Sequence, residues 1–171
     1  MTAFAALADA LRDLANVIRP LSPAAFTRRE FSSCGTVGAH VRHCLDHAWA
    51  LERGIAIGEV CYDHRERDTL VERDKDLALS RLTRASVRLG GISDRLLDRP
   101  LTLVTQTHAD GRAIRVATTA GRELAFVISH TIHHCALVAV LLEHAQFEVP
   151  ARFGLAPATP TRHRAEALCA P

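Results

Sequence analysis

The 171-residue chain lacks several patterns that would assign it to a class at once. Cysteine occurs five times (Cys34, Cys44, Cys61, Cys135, Cys169), an odd number with no C-x-x-C pair, which favours a reducing, cytoplasmic setting. An excess of one charge is missing as well. The 21 basic and 19 acidic residues leave a net charge of +2, with no basic run and no aromatic-interleaved patch, so nucleic acid is not an expected partner. The N-terminus, Met-Thr-Ala-Phe-Ala-Ala-Leu-Ala-Asp, has no basic lead and carries Asp9 and Arg12 early, unlike a secretory signal. No uncharged apolar stretch of about 18 residues exists. The nearest, Leu124 to Leu142, contains three histidines, so no membrane partner is expected. No repeat, low-complexity tract or linker divides the chain, and its length suits one domain over residues 1–160.

Long amphipathic helices are present. Phe4, Leu7, Leu11, Leu14 and Ile18 step by three and four over residues 3–19, and Pro20 and Pro23 end that helix. Residues 24–35 read as irregular. Thr36 can cap a second helix to about Ile57, with Val37, Val41, Cys44, Ala48, Leu51 and Ile55 as its stripe and Gly58 as its stop. A polar loop over 59–68 leads to a third helix from Asp68 or Thr69 to about Leu97, where Gly90-Gly91 marks a kink or a close crossing. Residues 101–107 and 112–117 flank His108-Ala-Asp-Gly111, the pattern of a β-hairpin. Thr118 or Thr119 caps a fourth helix to about Ala145. A proline-bearing extended tail follows, with 161–171 as a flexible end. Four long helices with one hairpin predict a mainly all-α four-helix bundle.

Six histidines fall in two clusters on two of these helices: His40, His43 and His47 on the second, and His130, His133 and His134 on the fourth. His130 and His134 are one turn apart, about 40° round a helix, so both imidazoles can reach one ion about 2.0–2.1 Å away. His133 points elsewhere. The third ligand must come from the second helix, where His43 is the first choice and His40 and His47 lie on the same side. No E-x-x-H motif is present, which disfavours a di-iron centre, and no glutamate accompanies the HxxxH pair as a built-in base. His47 and His40 are then the nearest candidates for acid–base work, with packing as the alternative. Asp46 could orient an imidazole. Cys44 and Cys135 read as buried small hydrophobes.

The segments Val41-Arg-His43-Cys-Leu-Asp and Ser129-His130-Thr-Ile-His-His134 resemble the DinB/YfiT-like superfamily. The resemblance implies a four-helix bundle holding one metal on a three-His triad, here His43, His130 and His134, and a homodimer. Two further stretches, Tyr62-Asp-His-Arg-Glu-Arg-Asp68 and Phe153-Gly-Leu-Ala-Pro-Ala-Thr159, are similar to those of an uncharacterised DinB-like subgroup. Where many relatives continue the last pair with Arg-Gly-Gln, this chain has Cys135-Ala-Leu137.

Three neutral imidazoles suit zinc or nickel, with iron, manganese or cobalt also admissible. Such an ion lowers the pKa of a bound water toward about 7 or ionises a thiol. The expected activity is therefore that of a hydrolase acting on a small-molecule substrate, or of a transferase using a low-molecular-weight thiol cofactor. Arg65 and Arg67 in the 59–68 loop could hold an anionic substrate, with surface ion pairing as the alternative. A metal-binding or sensing bundle without turnover, and a structural dimerisation bundle without metal, are the competing classes.

Overall fold

The computed structural model describes residues 2–32, 34–63 and 68–160. Among them are six α-helices and a three-stranded sheet, so the fold is mainly helical. Helix α1 (Ala3–Ile18) starts where the Thr2 side chain accepts a hydrogen bond from the Ala5 amide at 3.2 Å. Phe4, Leu7, Leu11, Leu14 and Ile18 are all fully buried, as their spacing requires. Burying each such side chain is worth roughly 1.5–3 kcal/mol. The segment expected to be irregular holds a short helix, α2 (Pro23–Thr27), opened by the Ser22 cap with Pro23 at its first position.

Helix α3 (Val37–Ile57) has the expected bounds. Thr36 accepts from the Ala39 amide at 3.0 Å, and Gly58 ends the helix with a left-handed φ of +85°. The expected third helix is not continuous. Helix α4 (Thr69–Arg73) stops at Asp74, and α5 (Lys75–Gly90) begins there. Asp74 has extended backbone, and its carboxylate accepts from the Leu77 amide at 2.9 Å, so a good N-cap inside the run breaks it. The Gly90-Gly91 pair ends α5 instead of kinking it, and a 3-10 turn (Asp94–Leu96) follows.

The hairpin is present: β2 (Pro100–Gln106) pairs antiparallel with β3 (Ala113–Thr119), with Gly111 at φ +80° in the turn. A third strand, β1 (Glu59–Cys61), lies where a polar loop was expected and pairs parallel with β2. Three residues of mixed polarity carry no alternation long enough to mark a strand. Its pairing with β2 delivers Tyr62 and Asp63 to the edge of the helical core, where Asp63 accepts from the Gln106 amide at 2.8 Å.

Helix α6 (Ala120–His144) runs straight on from β3 through the Thr119 cap. By length and composition it is apolar enough to cross a membrane, a test that the core helix of a soluble protein also passes. It packs on α3 and α1, while α1 packs on α5 and α3 packs on α5 and α4. The expected extended tail is a series of turns over 151–159. Phe153 in it is buried, and Gly154, at φ +74°, lies so close to α6 that a Cβ there would sit 2.6 Å from the Ala136 backbone. The tail is thus seated on α6 at Gly154, as a strap. Residues 161–171 lie outside the described structure.

Candidate metal centre

Helices α3 and α6 meet along their histidine faces. The His43 Nε2 and His130 Nε2 atoms are 2.8 Å apart, and the His40 and His134 Nδ1 atoms are likewise 2.8 Å apart. The His43 ring centroid lies 4.4 Å from that of His47 and 4.3 Å from that of His134, and the His47 and His130 centroids are 4.2 Å apart. Five imidazoles are thus gathered across one helix interface. His133 is exposed and meets His134 edge-on, as its angle on the helix required.

Within the group, one nitrogen from each of His43, His47 and His130 falls inside a 4.8 Å limit, so these three could share one metal ion. The sequence reading placed His134 in the triad and His47 in the pocket wall. The structure puts His47 in the close set and sets His134 against His40. His40 also approaches the Cys34 sulfur, at 3.5 Å from its Nε2. The His47 assignment has a physical basis in its tautomer. Its Nδ1 lies 2.9 Å from the His43 carbonyl oxygen, which can only accept, so Nδ1 carries the proton and Nε2 presents the lone pair. Two imidazole nitrogens on a tetrahedral ion at about 2.0–2.1 Å are roughly 3.3 Å apart. The 2.8 Å His43–His130 contact is within a small side-chain rotation of that value. The donor set fits a borderline transition ion: neutral nitrogens, one of them oriented by a backbone carbonyl.

Burial, and secondarily the neighbouring His130, push the His134 imidazole down to about 3. His40 is also lowered, chiefly by burial and then by His133. Both are therefore neutral near pH 7, when one ring of the His40–His134 pair must donate and the other accept. Asp46, expected as an orienting carboxylate, is buried and carries an ion pair to Arg42 at 2.6 Å. Burial raises the Cys44 thiol well above its usual value and takes Cys135 up to about 12, so both behave as small apolar groups.

A cavity of about 330 Å³ opens on this centre. His43, His47 and His130 line one side of it. Tyr62 stacks on His47 with the rings 10° from parallel, and Phe126 stacks on His130 at 20°. The two aromatic rings hold the two imidazoles in place. Leu103 and Thr105, alternate residues on one face of β2, complete a wall. Tyr62 and Asp63, which follow β1, also line the cavity. Arg65 and Arg67, the candidate substrate-holding residues, lie outside the described residues.

Glu123, which the sequence reading did not single out, also lines the cavity and is fully buried. Its Oε1 accepts from the Thr118 hydroxyl at 2.8 Å and from Arg122 at 3.1 Å. Its signal was spacing: Glu123 precedes His130 by seven residues, which puts the two on one helix face about 10 Å apart along the axis. Burial, then the charge of the nearby Glu123 carboxylate and a hydrogen bond to it, push the Tyr62 hydroxyl far above its usual range, so it stays protonated. A larger groove of about 740 Å³ runs beside α3 and α5 past Trp49 and Arg81. Its lining contains no histidine among the described residues and includes both arginines and acids.

No protein-family model matches the chain. A search of curated proteins finds similarity to FK506-binding protein 5 of Rhizopus delemar, 33% identical over 99 residues. The matched stretch is 57% of this chain and 26% of that protein, so the chain spans about a quarter of the length of the curated relative it matches.

Proposed function

We propose that the chain is a metal-dependent enzyme on a DinB/YfiT-like four-helix bundle. It would hold one divalent transition ion, with zinc or nickel the best suited, on His43, His47 and His130. The observation that carries the reading is the placement of three imidazole nitrogens within 4.8 Å of one another on the wall of a 330 Å³ cavity. A cavity of this size admits a small organic substrate. Bound there, the ion supplies Lewis acidity toward a water or a small thiol, which points to a hydrolase or a thiol-dependent transferase. The residues around it do the rest. Tyr62 and Phe126 keep two ligand rings in register and exclude water from one side. Arg122, whose guanidinium lies 5.7 Å from the Phe126 ring, offers a positive charge at the cavity wall for an anionic part of the substrate. The partial match to FK506-binding protein 5 contributes nothing to this reading.

Elemental analysis of untagged protein tests the site. The expected result is about one ion per chain, lost in His43→Ala, His47→Ala and His130→Ala. Unchanged metal content in all three variants sinks it. A second reading, metal held without turnover, is favoured by the His40–His134 pair beside the triad, because extra imidazoles could close the coordination shell. Azide added to the Co²⁺-loaded protein separates the two. A shift in the visible spectrum shows an open position, and no shift favours the closed site.

A further inference from the structure

We propose that the substrate of this centre is amphiphilic, with its polar end at the histidines and an apolar group lying on the β2–β3 face, where Ile114 and Val116 set the length accepted. The inference rests on the metal-centre reading above and names the class of substrate. Strand register carries it. Leu103 and Thr105 of β2 line the cavity. Leu103 pairs with Val116, and Thr105 pairs with Ile114. Directly paired residues of antiparallel strands point to one face, with Cβ atoms about 4.5–5.5 Å apart. The side chains of Val116 and Ile114 therefore extend the cavity wall outward by one strand.

Exposure along this face is graded. Where the sheet meets the helices, Leu101 is 4% exposed and its partner Thr118 is half-buried. Leu103 is half-buried, while Val116 and Ile114 are 41% and 46% exposed. β-branched residues favour strands with or without a ligand. That preference does not choose between faces, however, and the other face of β3 holds Ala113, Arg115 and Ala117, with Arg115 ion-paired to Glu59 at 2.7 Å. The two large apolar side chains fall on the cavity side. A second copy of the chain is a poor occupant, since two side chains less than half exposed offer a small fraction of the about 800 Å² per partner of a stable interface. The two residue pairs span about 7 Å along the strands, room for an apolar group of roughly five or six carbons.

The test titrates straight-chain alkyl hydroxamates, from acetohydroxamate to octanohydroxamate, into the Zn²⁺-loaded full chain by calorimetry. The hydroxamate head chelates the ion, and acetohydroxamate sets the baseline in each protein. The proposal expects affinity to rise about two- to fourfold per added methylene and to level off near six carbons. Ile114→Thr and Val116→Thr keep the β-branched shape, and each should reduce the rise. A flat series in the wild type, or an equal rise in the wild type and both variants, overturns the apolar subsite while the metal centre stands. A Zn²⁺-loaded wild type that binds no hydroxamate overturns the open site and the subsite together, and one that takes up no Zn²⁺ overturns the metal centre itself. Sedimentation velocity covers the remaining occupant. A wild-type dimer that Ile114→Thr converts to monomer gives this face to a second copy and overturns the proposal.

Discussion

The Nδ1 of His47 donates to the carbonyl oxygen of His43, one helical turn earlier, at 2.9 Å. This bond selects one tautomer of His47 and leaves its Nε2 lone pair free to act as a ligand, with the His130 ring centroid 4.2 Å from its own. A residue that could have been a wall of the pocket joins His43 and His130 in the group whose nitrogens could share one ion.

Replacing His47 should therefore cost more metal than replacing His134. In chelator competition with Zn²⁺, His47→Ala is expected to weaken binding by more than the roughly 10–100-fold typical of losing an orienting partner, and His134→Ala by no more than that. The reverse order would restore the sequence-based triad of His43, His130 and His134.

Tyr62 holds His47 by stacking, not by its hydroxyl, since the rings lie 10° from parallel at 5.2 Å. Tyr62→Phe should keep Zn²⁺ affinity within about threefold, whereas Tyr62→Ala should lower it about 10–100-fold. Equal losses in both variants would move the role from the ring to the hydroxyl.

Gly154 combines a φ of +74° with a backbone approach to Ala136 that leaves no room for a Cβ. Gly154→Ala should lower stability by about 1–3 kcal/mol in urea unfolding, with the slope unchanged. Metal content should be unaffected, because none of residues 150–159 lines the cavity. A midpoint equal to that of the wild type would mean that the strap contributes nothing to the fold.

Periodicity made α1, α3 and α6 legible, because each buries one continuous apolar stripe and begins at a hydroxyl that caps free amides: Thr2, Thr36 and Thr119. The hairpin was legible from its Asp-Gly turn. The break at Asp74 was hidden because the apolar steps continue past it, and a capping carboxylate in mid-run looks like any solvated acid. β1 was hidden because a three-residue strand exists only through its partner.

The sequence alone determined that histidines face each other from two helices, since spacings of three, four and seven on a helix are local geometry. It did not determine which imidazoles come closest. That depends on how α3 and α6 are rotated against each other and on a backbone hydrogen bond that sets the His47 tautomer. The cavity, with Tyr62 brought in by β1 and Glu123 held by Thr118 at the end of β3, was decided only by tertiary structure. Its walls come from segments far apart in the chain, and no local pattern records that they will meet.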